Sequence, residues 1–98
     1  MNIEQTKNGS ALTIAPEGYL DTATAPELKA VLDTALAGVT ELTFDFEKLE
    51  YISSAGLRVL LSAQKTMNSQ GSMRVIHVNE TVMEIFEVTG FVDVLTIE

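Results

Sequence analysis

The sequence predicts an α/β fold: a small βα superhelix whose mixed, mostly parallel sheet carries its helices on one face. Three observations point there. Apolar side chains at helical spacing recur three times, at Leu28/Val31/Leu32/Ala35/Leu36, at Leu57/Leu60/Leu61/Met67 and at Val82/Ile85/Phe86. Strand-like stretches separate them, with Leu42, Phe44 and Phe46 alternating and Met73 to Val78 nearly continuous, as suits a strand covered by helices. At 98 residues the chain is long enough for one core and too short for two, giving a single domain over 1–98.

Taken in order, 2–7 and 10–16 read as two strands joined at Asn8-Gly9, a dipeptide suited to a type I′ hairpin turn. Gly18-Tyr19-Leu20-Asp21 leads into a helix at about 25–37. Thr24 and Glu27 have capping-box spacing, Pro26 is tolerated in the first turn, and Gly38 is the stop. A strand at about 40–46 follows, and Leu49 and Ile52 carry the chain to Ser53-Ser54. The second helix runs over about 54–69, with Arg58, Gln64 and Lys65 facing water. A strand from Met73 to Val78 precedes a third helix at about 80–89, capped by Asn79 and stopped by Gly90. Val92 to Ile97 supplies a last strand. The order β-β-α-β-α-β-α-β, with right-handed crossovers and strands adding on one side, puts all three helices on one face. Asp21 and Ser53/Ser54 then follow the C-terminal ends of parallel strands, the edge where sites in open α/β sheets gather.

Composition narrows the function classes. A hydrophobic content of 46% argues for a well-buried core and against disorder. The net charge of −8 disfavours nucleic acid and anionic membranes and suits a partner with a basic surface. Without cysteine there is no disulfide, thiolate nucleophile or Cys-based metal site, and one histidine offers little to a metal. No apolar run approaches the roughly 18 residues of a membrane span, and Met1-Asn2-Ile3-Glu4 lacks a signal peptide's basic start. The expectation is a soluble cytoplasmic protein without a cofactor.

The stretch from Tyr51 to Leu61 organises the rest. Ser53 and Ser54 fall where a strand hands over to a helix, so a serine hydroxyl can cap an unpaired first-turn N–H. The positive end of the helix dipole also suits a phosphate there. By themselves the two serines are weak evidence of function, since most strand–Ser–helix junctions carry a plain N-cap.

Gly18-Tyr19-Leu20-Asp21 with Ala25-Pro26-Glu27-Leu28, then Tyr51-Ile52-Ser53-Ser54-Ala55-Gly56-Leu57-Arg58, then Gly90-Phe91, resemble the STAS domain, the sulphate-transporter and anti-sigma-factor-antagonist family. The resemblance spans nearly the whole chain and is nearest to the bacterial anti-sigma factor antagonists. It implies a partner-switching module that binds an anti-sigma factor, usually a serine kinase of the histidine-kinase-like ATPase fold. That kinase modifies a Ser or Thr at the start of the second helix, and a metal-dependent serine phosphatase resets it. Carried onto this sequence, the phosphorylation site is Ser54, with Ser53 as fallback, and the partner-binding residues are Asp21, Thr22, Ser53, Ser54, Ala55, Gly56 and Arg58.

The sequence departs from the family pattern at two places. Many members have an Asp and two hydroxyl residues before the glycine; here Ser53 stands for the Asp, and Ala55 removes the second hydroxyl. The chain also stops at Glu98, where the family often continues into another helix. Asp21 reads equally as a rim acid and as helix-start solvation, Asp45 as a solvated strand charge, and Arg58 as a partner contact or an exposed arginine. Two other functions compete with this one. An enzyme would need Ser54, His77 and Asp45 as nucleophile, base and orienter, but the serine lacks a Gly-x-Ser-x-Gly elbow and His77 falls in an apolar strand. No phosphate-binding glycine motif appears either. A constitutive adaptor of the same fold, such as a subunit of a lipid-transport ATPase or a signalling scaffold, would use the same rim without phosphorylation, and Ala55 favours it.

Overall fold

The computed structural model describes residues 1–98. Its chain opens on two antiparallel strands, β1 (Ile3–Asn8) and β2 (Ala11–Pro16). Asn8 pairs with Ala11, so the turn is Gly9-Ser10, one residue later than expected. Gly9 takes φ 63° while Asn8 keeps a negative φ. A turn needing positive φ at its first central position alone selects Gly-X, which outcompetes Asn-Gly here.

After β3 (Gly18–Leu20) come α1 (Ala25–Ala35), β4 (Glu41–Asp45), β5 (Leu49–Ile52), α2 (Ser54–Gln70), β6 (Ser72–Ile76) and α3 (Glu80–Thr89). Four strands form the main sheet in the order β1-β2-β4-β6, with β2, β4 and β6 parallel. Register places Leu12, Leu42 and Met73 in one row and Ile14, Phe44 and Val75 in the next, all buried. The row between them, Thr13, Thr43 and Arg74, lies on the opposite face, where Arg74 Nε donates to Thr43 Oγ1 at 3.0 Å. The core therefore sits on one side of the sheet, as expected. Burying a Leu, Ile, Val, Met or Phe side chain there stabilises the fold by about 1.5–3 kcal/mol.

The helices bury most of the expected stripes: Leu28, Leu32 and Leu36 near α1, Leu57, Leu60 and Met67 on α2, Val82 and Phe86 on α3, whereas Val31, Ala35, Leu61 and Ile85 are only half-buried. Val59 and Ala63 join the buried face of α2, because α1 packs on that side as well. Gln64, expected in water, is half-buried, its Nε2 donating to Asn68 Oδ1 at 2.9 Å. Asn79 caps α3 as its sequence suggests: Oδ1 accepts from the Val82 N–H at 2.8 Å, and Nδ2 donates to the Leu49 carbonyl at 2.8 Å. Gln70 performs an equivalent service between elements, its Nε2 donating to the carbonyls of Leu36 at 2.7 Å and Val39 at 2.6 Å. Gln70→Ala leaves two carbonyls beyond α1 without that donor and should cost about 1–3 kcal/mol, read from urea unfolding.

Three sequence expectations are corrected. The Thr24–Glu27 capping box does not form: Glu27 Oε1 instead accepts from the N-terminal ammonium at 2.9 Å. Asp21 Oδ1 accepts from the N–H groups of Ala23 and Thr24 and holds Thr24 at helical φ −99°, ψ −22°, whereas a side-chain cap needs an extended backbone. His77 is outside β6, in a left-handed turn at φ 58°, and exposed. The last strand is replaced by a 3₁₀ turn at Phe91–Asp93; Val92 and Val94 stay exposed, and Ile97 makes a single parallel bridge with Val75.

Candidate functional site

Two short strands that the sequence reading missed build the rim. β3 and β5 pair in parallel as a separate two-stranded sheet, with Leu20 opposite Ile52. Both strands end at the same edge, so Asp21 and Thr22 after β3 lie beside Ser53 and Ser54 after β5. The Ser53 N–H donates to the Leu20 carbonyl at 2.8 Å, tying the two exits together. The sequence had assigned this edge to the main sheet; the juxtaposition is as expected, but other strands supply it.

Gly56 sets how closely α2 approaches this sheet. A Cβ there would lie 2.7 Å from Ile52 Cγ1 and 2.8 Å from Leu20 Cγ, both buried side chains. The first turn of α2 thus rests directly on the ends of β3 and β5, and Ser54, its first residue, is exposed. Gly56→Ala should destabilise by about 1–3 kcal/mol through overpacking, read from the unfolding midpoint in urea.

The two serines differ. Ser53 is the N-cap, with extended φ −99° and ψ 177°, but its side chain caps nothing. Its Oγ is buried without a hydrogen-bond partner. Ser54 begins the helix and is exposed. The first-turn N–H groups are therefore left without a side-chain cap, which is the condition that favours an anion at a helix start. Ala55 is half-buried and Gly56 buried, whereas Thr22 and Arg58 are exposed. Beside Ser54, Thr22, Ala25 and Pro26 face Ala55, Arg58 and Val59 across a shallow hollow of about 260 Å³ between the two helix starts.

Asp21 is committed to local structure. Its Oδ1 also accepts from Thr24 Oγ1 at 3.2 Å, and Thr24 Oγ1 donates to the Tyr19 carbonyl at 2.7 Å. The Thr24 backbone N–H, aided by that of Ala23 and against some desolvation, holds the Asp21 carboxyl below the usual carboxylate range. Asp21 thus shapes the β3–α1 corner that presents Thr22.

Asp45 and His77 meet at the ends of β4 and β6, with His77 Nδ1 2.8 Å from Asp45 Oδ1. This bond raises the His77 pKa, against desolvation and with help from the charges of Asp45 and Glu47. Desolvation pushes Asp45 up, but the His77 bond, the Glu47 N–H and the nearby cations together hold it low. Because the histidine is raised in the fold, its stabilisation is full below the unfolded value of about 6.5 and is lost as pH rises through the folded pKa. The depressed aspartate contributes above about 3.9 and fails as pH falls through its folded pKa. Thermal melts across pH should therefore show a plateau between about pH 4 and 6.5 whose alkaline fall is absent in His77→Ala. Glu47 brings a third ligand-type atom within 4.8 Å of the other two. All three lie at the surface, and the pair's mutual bond already accounts for the arrangement. The hydrogen-bond partner of His77 is Asp45, and the histidine makes no hydrogen bond to Ser54.

Comparison with known proteins agrees with this geometry. The model of the STAS domain matches residues 2–98. The chain belongs to the STAS domain family. It is 31% identical to BtrV of Bordetella bronchiseptica, over 99% of this chain and 85% of that one. It is 30% identical to the anti-sigma-B factor antagonist of Listeria monocytogenes, over 83% of this chain and 73% of that one. In fold, this STAS domain resembles the anti-sigma factor antagonist SpoIIAA in its unphosphorylated form, with a TM-score of 0.85 at 20% identity, over 99% of this chain and 88% of that one. It also resembles the phosphorylated form of the Bacillus cell fate determinant SpoIIAA, with a TM-score of 0.76 at 19% identity, over 99% and 91% of the two chains. No helix is long and apolar enough to cross a membrane.

Proposed function

We propose that this STAS domain is an anti-sigma factor antagonist acting by partner switching. Unmodified, it docks the rim formed by Asp21, Thr22, Ser53, Ser54, Ala55, Gly56 and Arg58 onto an anti-sigma factor that is also a serine kinase of the histidine-kinase-like ATPase fold. Phosphorylation of Ser54 releases that partner, and a metal-dependent serine phosphatase restores binding. The observation that carries this proposal is the contrast between the two hydroxyls: Ser54 is exposed at an uncapped helix start, whereas Ser53 Oγ is buried.

The physics of release follows from charge. A phosphoserine adds about −1.5 to −2 charges at pH 7. The N-terminus of α2 offsets about 0.3–1 kcal/mol of that inside the protein, so the fold tolerates the group. A partner packed over the rim meets a hydrated dianion it must desolvate, and binding fails. Phosphate-affinity gels of protein taken from cells test the modification: a retarded band that disappears in Ser54→Ala supports the switch. The absence of any modified species under stress favours the constitutive adaptor instead, the function that Ala55 suits by leaving one fewer acceptor.

A further inference from the structure

The outer face of the β3–β5 sheet carries a feature that neither the fold nor the serine site requires. Gly18 pairs with Leu49, but Tyr19 pairs with Tyr51, so Glu50 is an extra residue on β5. Strict alternation from buried Leu49 would turn Tyr51 inward and Ile52 outward. The bulge reverses both: Glu50 and Tyr51 are exposed together and Ile52 is buried. Bulges re-aim side chains in this way, and they are common beside functional sites. As a result Tyr51, 40% exposed, lies against Tyr19, 56% exposed, with ring centroids 6.1 Å apart and planes tilted by 41°. One buried residue separates Tyr19 from Asp21 (Leu20) and Tyr51 from Ser53 (Ile52), so the pair lies on the same two strands whose ends carry the proposed rim.

We infer that the Tyr19–Tyr51 pair with Glu50 is the anchor of the partner-binding surface and receives an arginine-bearing segment of the anti-sigma factor. This inference rests on the proposed function and names the chemistry of the contact. Exposed tyrosine faces attract guanidinium groups, and a carboxylate beside them completes the match. Glu50 precedes Tyr51 in the chain and is exposed with it, and the chain as a whole has a net charge of −8. Aromatic and arginine side chains are also those that most often dominate binding energy at interfaces.

The test uses the purified anti-sigma factor of the kinase class from the same genome, titrated calorimetrically with wild-type protein and with Tyr19→Ala, Tyr51→Ala, Tyr51→Phe, Glu50→Gln and Ser54→Asp. Tyr51→Ala should weaken binding about 10–100-fold, while Tyr51→Phe, which keeps the ring face, stays within about 3-fold of wild type. Glu50→Gln should flatten the salt dependence. Substituting the partner's surface arginines by Gln one at a time should find one whose loss no longer matters once Tyr51 is Ala. Tyrosine variants that bind like wild type while Ser54→Asp does not would overturn the inference and leave the switch standing. Absence of any coupled arginine overturns the proposed occupant, and wild-type protein that does not bind overturns both proposals. A change in the sedimentation of the protein alone on Tyr51→Ala would assign the surface to self-association and also overturn the inference.

Discussion

Gly71→Ala is expected to prevent stable folding. Gly71 closes α2 just as the chain enters β6, and it passes against the backbone of Thr40 at the start of β4. A Cβ at Gly71 would fall on the Thr40 carbonyl oxygen, 2.6 Å from its carbon and 2.8 Å from its Cα. These are backbone atoms, so no rotamer change relieves the clash. The same carbonyl accepts the Ser72 N–H at 2.9 Å, a bond that sets where β6 begins beside β4. Typical overpacking costs about 1–3 kcal/mol where side chains can move; here the cost should exceed that range. Against a total stability of about 5–15 kcal/mol, the loss is decisive. Circular dichroism during urea titration checks it: an unfolding midpoint equal to that of wild type would mean that the α2–β6 crossing is looser than described.

Ser54→Asp is expected to weaken binding of the anti-sigma factor at least about 100-fold, or about 2.7 kcal/mol. The reason lies in location. The side chain at 54 is exposed at the first residue of α2, next in the chain to Ala55, which lines the hollow shared with Thr22 and Arg58. Negative charge there is mildly favourable to the helix, so the unfolding temperature should hold or rise slightly. The same charge inside an interface must be stripped of water. Ser54→Ala should bind as tightly as wild type and stay bound when kinase and ATP are supplied. Isothermal titration of both variants separates the outcomes, and equal affinities would count against a charge-driven release. Ser53→Ala provides the contrast. Its hydroxyl caps nothing and is buried without a partner, so its removal should leave stability unchanged or slightly raised, and phosphorylation at Ser54 should still release the anti-sigma factor.

Much of the fold was legible because local chemistry and burial agreed. Leu42, Phe44 and Phe46 alternate as a covered strand should, and all three are buried. Asn79 caps α3 with the bond its position implies. The misses occurred where a tertiary partner overrode the local pattern. β3 and β5 have only three and four residues, and the bulge at Glu50 breaks their alternation. Tyr19 and Tyr51 were the surviving signal, two aromatics each followed by a buried aliphatic residue. The Thr24 cap yielded to an acceptor three residues earlier, Asp21, which claims the Thr24 N–H first. His77 extended an apolar run, and nothing local announced its left-handed turn; Asp45, 32 residues away, holds it there. At the rim itself, residue types marked Ser53 and Ser54 as a pair. Which hydroxyl faces solvent depends on how Gly56 seats α2 on Leu20 and Ile52, a contact between distant segments.

The most direct measurement is calorimetric titration of the anti-sigma factor with protein carrying phosphoserine at position 54, beside the unmodified chain. A carboxylate at 54 supplies one charge; the phosphate supplies nearly two and a larger hydration shell. The expected result is loss of measurable binding, with a thermal unfolding temperature within a few degrees of the unmodified protein, about what a helix-terminal charge contributes. Equal affinity of the two forms would contradict the mechanism outright, because the charge would then be present on the rim and the partner would still be docked.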